Sequence, residues 1–393
     1  MGQYTTILDV GSSKVICLIC SCDNANNIIV RGAGIREYSG FRRGEFVDEQ
    51  QFQNAVVDAL SKAEIDSKCK VRELSVGVPA PFIRLAVREG KVLISPRAKS
   101  VSPAEVELIM NDSLNFARPE GFELMHSTPI DFRIDQMPDE EGKRYAHAPV
   151  SNVFVDFKFR SLVTSALSRV GLGADMYIAV PLAEGMFMLS EEDKSAPAVL
   201  IDVGATFTEV SVIRNGALYA VKSIDIGGTH FTNDLAYAFD LPPESLENVK
   251  RRYVYSAGLS DSIDTIRLMD GGVFNVDHDV ITLIMEARMD ELADLIIAAM
   301  REMGATPKRS WPVYLTGGGI TLMRGSCEYL EKKLGMPIKV DLPWTQRLST
   351  SNYASAFSVM NFVIGADGMD ASVPIGPKKQ SKILDKLRDF FLK

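Results

Sequence analysis

No stretch of about eighteen uninterrupted apolar residues occurs in the 393-residue chain, so no helix is expected to span a bilayer. The N-terminus lacks a basic segment followed by an apolar one, and no secretory leader is expected. Cysteine is sparse. No second pair complements Cys17-x-x-Cys20 to make a zinc site, and both thiols lie in the apolar run Val15–Cys20, where free cysteine packs as a small hydrophobe. With Cys22, Cys69 and Cys327 they indicate a reduced compartment. Positive charge is short as well: the net charge of −8 excludes a general nucleic-acid binder, which would carry a basic stripe. His126, His147, His230 and His278 are scattered without metal-ligand spacing, and His147 reads as a solvated residue of a polar loop.

What is present is a globular composition in a chain longer than one typical domain, for which two lobes are the natural expectation. Tyr4–Cys20 is apolar and β-branched except at Asp9-Val10-Gly11-Ser12-Ser13-Lys14, which reads as strand, tight turn, strand. The design recurs at Ala198–Ile213, where an apolar run breaks at Asp202-Val203-Gly204-Ala205-Thr206-Phe207-Thr208-Glu209. Two such hairpins nearly two hundred residues apart imply a duplicated α/β architecture with one hairpin per lobe. Between them, Gln50–Ala63 has helical spacing and Leu74–Pro79 reads as a buried strand. Ile83–Phe159 reads as an inserted subdomain of short strands, with one helix near Pro103 and a polar stretch from Gln136 to His147. Helix is then expected over Ser161–Gly171, Phe231–Phe239, Glu244–Tyr253 and Val280–Met303, and strand over Met176–Val180 and Val313–Leu315. A helix-like segment follows Gly319 to Leu334, and Gly365–Gln380, rich in Gly, Pro and small residues, reads as a linker.

Backbone N–H groups reach a phosphate only where no Cβ intervenes, and Gly11-Ser12-Ser13 and Gly204-Ala205 supply such turns. Asp9 and Asp202, each at the end of an apolar strand, are placed to hold Mg²⁺ through its waters, and Lys14 adds a positive charge. Gly317-Gly318-Gly319 lets backbone lie against a flat adenine or ribose. Each motif alone also fits a tight hairpin. Their order and repetition point to a nucleotide.

In this order the motifs resemble the actin, sugar-kinase and DnaK-type chaperone superfamily, and within it the FtsA family of bacterial cell-division actin homologues. The resemblance spans nearly the whole chain. Besides the first hairpin it rests on Gly34-Ile35-Arg36, Gly44-Glu45-Phe46-Val47-Asp48, Ile226-Gly227-Gly228 with Thr232-Asn233-Asp234-Leu235-Ala236, and Glu247-Asn248-Val249-Lys250. Leu315-Thr316-Gly317-Gly318-Gly319 and Tyr353-Ala354 complete it.

The resemblance implies an actin-like (ribonuclease H-like) fold. Residues 1–82, 160–198 and 351–366 would form the first lobe (1A), 83–159 the inserted subdomain (1C), 199–234 and 311–350 the second-lobe core (2A), and 235–310 its small subdomain (2B). It further implies that ATP and Mg²⁺ bind, that Thr206, Gly227 and Gly228 line the nucleotide, and that Glu247 and Lys250 meet its adenosine side. Subdomain 1C would take part in filament contacts between copies. A C-terminal peptide of the tubulin homologue FtsZ would dock on 2B beside other division proteins, at the cytoplasmic face of the membrane.

Three departures matter. The second turn has Ala205 and Thr206 for two glycines, Phe207 for a threonine and Glu209 for an aspartate, which crowds the approach to phosphate. Val180 stands where the superfamily positions water with Glu or Gln, and an aliphatic side chain cannot deprotonate water, so no catalytic residue is assigned and hydrolysis is expected to be slow or absent. Lys143–Pro149 replaces the family's glycine-containing turn in 1C.

Beyond a linker at 367–380, residues 381–393 place Ile383, Leu384, Leu387, Phe390 and Phe391 on one helical face. Five lysines and one arginine, Arg388, against two aspartates give a local +4 from Lys378 to Lys393. A basic amphipathic helix of this kind fits an anionic membrane surface, and many copies would bind through avidity. A pilus-assembly adaptor of the PilM type shares the core motifs. A superfamily small-molecule kinase would need a carboxylate base in the cleft and no membrane helix.

Overall fold

The computed structural model describes residues 4–23, 27–255, 258, 262–268, 271–304, 311–340 and 348–367. The residues assigned to the membrane, Ile383 to Phe391, lie outside the described residues, as does all but the first residue of the linker at 367–380.

Two five-stranded sheets carry the fold, and they share one topology. The first runs Ala174–Ala179, Leu74–Val78, Thr5–Val10, Lys14–Cys22, Ile28–Glu37; the second runs Val313–Thr316 inside Ile338–Val340 on one side of Ala198–Val203, with Thr208–Arg214 and Ala217–Ile224 on the other. In each, the first strand pairs antiparallel with the second, the second antiparallel with the third, and the first parallel with the fourth, itself parallel to the fifth. This is the duplication the hairpins announce, and the fold is actin-like.

The strands are apolar on both faces because both faces are covered. Leu8, Val10, Val15, Cys17 and Ile19 pack with Phe52, Val56 and Ala59 of the helix Glu49–Ser67, whereas Ile7, Ile16, Leu18 and Cys20 pack with Phe357, Val359 and Met360 of the helix Ala354–Asp367. Cys17 and Cys20 therefore sit in the cores on opposite faces of the sheet, and burial raises both thiols, Cys20 to about 12. They are packing residues. The helix Glu49–Ser67 lies so close to its sheet that a Cβ on Gly34 would fall 1.8 Å from the Ala59 carbonyl oxygen.

The inserted segment is built differently from expectation. Beside the shorter strands Phe122–Pro129 and Arg133–Ile134 it has two long ones, Ile83–Ile94 and Arg144–Asp156, paired antiparallel from Ile83 opposite Val155 to Ile94 opposite Arg144. Arg144–His147, expected in a polar loop, open the second of these, and His147 pairs with Asp135 at 3.1 Å. The helix Pro103–Asp112 is closed by a Ser102/Glu105 capping box.

Other boundaries shift for local reasons. The helix Phe157–Ser168 starts inside the segment assigned to the insert, because the Asp156 carboxylate caps the N–H groups of Lys158 and Phe159. The helix after Gly319 begins only at Ser326, since Gly317 (φ +86°) and Gly325 (φ +74°) hold the intervening chain in turns. A hairpin, Ile263–Arg267 with Val273–Asp277, precedes the helix His278–Glu302 and was not expected. The helix Ala354–Asp367 overruns the first residues read as linker, from Gly365.

Candidate functional site

The two acidic hairpins have the same turn. In the first, the Gly11 N–H donates to the Lys14 carbonyl at 3.0 Å; in the second, the Gly204 N–H donates to the Phe207 carbonyl at 3.0 Å. A Cβ on either glycine would lie 3.1 Å from that carbonyl oxygen. Each turn follows a strand whose aspartate is fixed by register, Asp9 opposite Ile16 and Asp202 opposite Glu209. The second hairpin thus presents two carboxylates where the first presents one.

The turns face each other. The Thr206 N–H donates to the Ser12 hydroxyl at 3.1 Å, the Thr206 hydroxyl to the Phe41 carbonyl at 3.1 Å, and the Ala80 N–H to Glu209 Oε2 at 2.9 Å. Between them opens a cleft of about 780 Å³ whose wall includes Asp9, Gly11, Ser12, Ser13, Lys14, Asp202, Gly204, Ala205, Gly228, Glu247, Lys250, Gly317, Gly318 and Gly319. Of the residues assigned to the nucleotide, Thr206 and Gly227 are not in this wall. Thr206 is engaged with Ser12 and Phe41, and a Cβ on Gly227 would fall 2.7 Å from Ala205.

The glycines of the wall serve close packing of protein on protein. A Cβ on Gly228 would meet Gly319 at 2.7 Å, and one on Gly318 would meet Asn352 at 2.5 Å. The Gly319 N–H donates to the Val203 carbonyl at 2.7 Å, tying the glycine triplet to the second hairpin. At the other end of the cleft, Lys250 donates to the Gly228 carbonyl at 3.1 Å and pairs with Glu247 at 2.8 Å, while Thr232 and Arg251 also bond Glu247. Burial opposes the charge of Glu247, but these cations and hydroxyl outweigh it and hold the carboxyl below its ordinary range. Burial lowers the ammonium groups of Lys250 and Lys14. The Lys14 ammonium lies 4.4 Å from the centroid of the Tyr353 ring.

The floor is a set of buried carboxylates. Burial pushes Asp9 up to about 6 despite a 2.7 Å hydrogen bond from the Ser355 hydroxyl. Burial and then Asp9 push Asp202 up to about 7; burial and Asp202 push Glu209 up to about 8. Glu184, fully buried, is raised well above the carboxylate range by burial and by Asp202, Glu209 and Asp9. Glu184 and Glu209 line the cleft but went unassigned from sequence. The signal for Glu184 was its isolation as the one charge in the apolar run Val180–Leu189.

Unpartnered oxygens remain in this set: both of Glu184, Oδ1 of Asp202 and Oε1 of Glu209. Buried acceptors without donors fit a site completed by a cation or by bound water. Among the described residues no three His, Cys, Asp or Glu side chains are placed to ligate a metal directly. No helix among them is long and apolar enough to cross a membrane.

The family model for cell division protein FtsA matches residues 199–358. Cell division protein FtsA of Pseudomonas aeruginosa is 26% identical over 393 aligned residues, covering 95% of this chain and 92% of that protein. Among solved structures, the PilM–PilN type IV pilus biogenesis complex is similar with a TM-score of 0.61 at 18% identity, covering 90% of this chain and 96% of that one. MreB 5 of Spiroplasma citri bound to AMPPNP gives a TM-score of 0.54 at 14% identity, covering 93% and 97%.

Proposed function

We propose, from the premise that this chain is a homologue of the FtsA cell-division proteins, that it is an ATP-binding actin-like filament protein that tethers the FtsZ division ring to the cytoplasmic face of the membrane. The observation that carries the reading is the pair of matching acidic turns, with Ser12 and Thr206 bonded across a cleft of about 780 Å³.

In this reading the N–H groups of Gly11–Ser13 and Gly204–Ala205 hold phosphates with Lys14, and Glu247, Lys250 and Gly317–Gly319 hold the nucleoside. Asp9 and Asp202 hold Mg²⁺ through water. Mg²⁺ keeps several waters and takes only one or two carboxylates, which suits a floor with no direct ligand set. Bound there, the cation supplies charge neutralisation for the phosphates. The division of the chain into 1A, 1C, 2A, 2B, linker and membrane helix is part of the proposal. In 2B a second cleft of about 640 Å³, lined by Arg252, Tyr253, Arg267 and His278, supports docking of a peptide such as the FtsZ tail.

The test uses vesicles containing phosphatidylglycerol. The full chain is expected to sediment with them, more so with Mg-ATP, and to carry an FtsZ tail peptide down. A chain ending at Gly376 should stay in the supernatant while binding ATP and peptide as before. Equal sedimentation of the two chains would refute the tether, and rapid ATP-dependent phosphorylation of a sugar would replace the reading with a kinase.

A further inference from the structure

By the resemblance, Val180 stands where the superfamily orients water; it opens the helix Val180–Met188 and lines the cleft. On a helix the residue four positions on shares the same face one turn along. That residue is Glu184, and it too lines the cleft. Gly185 fixes its placement: a Cβ there would come within 2.5 Å of Ile213, so the helix is pressed onto the strand Thr208–Arg214 that carries Glu209.

Of the four floor carboxylates, Glu184 alone has both oxygens among the unpartnered buried atoms. Asp9 accepts from Ser355, Glu209 accepts from Ala80, and Asp202 has only Oδ1 among the unpartnered buried atoms. A carboxyl group completely removed from solvent with both oxygens idle is expensive to keep for packing alone, and an apolar side chain would fill the place at lower cost.

We propose that Glu184 is the general base for nucleotide hydrolysis in this cleft, supplying from one helical turn along the function that Val180 cannot. The proposal rests on the nucleotide reading above and sharpens it from slow or absent hydrolysis to slow hydrolysis with an assigned residue. The step runs through the ionised form of Glu184, which burial and the neighbouring carboxylates make the minor form, in keeping with slow hydrolysis. A water held by the ionised Glu184 attacks the terminal phosphorus of a nucleoside triphosphate. Its oxygen bonds to phosphorus as its proton passes to the carboxylate. The bond from that phosphorus to the bridging oxygen breaks, and the electron pair leaves with the nucleoside diphosphate.

The experiment compares the full chain with Glu184→Gln and Glu184→Asp. Single-turnover cleavage of ATP is followed with Mg²⁺ in excess, and ATP affinity and melting temperature are measured separately. Glu184→Gln should slow cleavage by about 10²-fold or more while ATP affinity changes by less than about threefold. Glu184→Asp, which keeps the carboxylate, should retain part of the rate, and it decides the matter should the Gln variant fail to fold. Cleavage by Glu184→Gln at the parent rate overturns the proposal, as does a parent chain that binds ATP without cleaving it. A parent chain that binds no ATP removes the nucleotide reading itself, which the affinity measurement registers independently.

Discussion

Gly40→Ala is expected to destabilise the protein by about 3 kcal/mol or more and to weaken ATP binding at least about tenfold. Gly40 has φ +76°, and a Cβ there would lie 1.4 Å from the carbonyl oxygen of Ser12. Left-handed backbone alone costs a non-glycine residue about 1–2 kcal/mol. The rest comes from forcing apart two backbone segments, neither of which can rotate out of the way as a side chain would. The control is Gly171→Ala. Gly171 has φ +72° with nothing within 4 Å of a Cβ, so it isolates the conformational term at about 1–2 kcal/mol. Urea denaturation compares the two. Equal losses would show that the Gly40 contact relaxes freely. The effect on ATP follows from geometry, because Ser12 belongs to the first turn and meets Thr206 across the cleft.

The second large effect is on stability against pH. Asp202 and Glu209 are raised to about 7 and about 8 in the folded protein, far above an unfolded carboxyl near 4. At neutral pH the folded state therefore holds protons that the unfolded state has released. By linkage, stability is greatest below the unfolded value and falls as pH rises through the folded one. His126, lowered to about 4 by burial, works in the opposite direction, but only below its unfolded value near 6.5. Between about pH 6.5 and 8.5 the carboxylates should dominate, and the ligand-free chain should lose stability at about 1.4 kcal/mol per pH unit for each group still protonated. Melting temperatures across that interval test this. Glu209→Gln should flatten the slope, since a neutral amide oxygen can still accept from Ala80. A parent curve that stays level or rises with pH would show that these carboxyls are already ionised in the folded chain.

Both hairpins were legible because a carboxylate and a glycine interrupting an apolar β-branched run leave few alternatives to a tight turn. The glycines at 227, 228 and 317–319 were legible as close approaches, but not for what approaches. Much of their space is taken by protein backbone, as Gly228 on Gly319 shows. Thr206 was read as crowding a phosphate; its N–H and hydroxyl are engaged with Ser12 and Phe41, contacts between residues 194 and 165 positions apart that no local pattern encodes. Glu184 leaves a local signal, a lone charge one helical turn past Val180, but its approach to the cleft depends on the packing of Gly185 on Ile213, which no local pattern encodes. Its presence also supplies the carboxylate that the kinase alternative required, leaving the basic tail as the sequence feature that speaks against that alternative. The long strands of the insert were hidden by their composition. Ile83–Ile94 carries Arg84, Arg88, Glu89 and Lys91, which resemble loop residues until the partner strand is known.

Ala80, whose N–H is held by Glu209, opens a single helical turn that runs without a break into Ile83–Ile94. Twelve extended residues span about 40 Å, and the antiparallel partner Arg144–Asp156 braces that length throughout. The pair is a stiff beam with its short end at the floor of the cleft. A rotation of about 5° at Ala80 carries its far end through about 3 Å. Mechanical advantage is thus built into the covalent chain: a small turn at the end held by Glu209 becomes a displacement of several ångströms at Ile94.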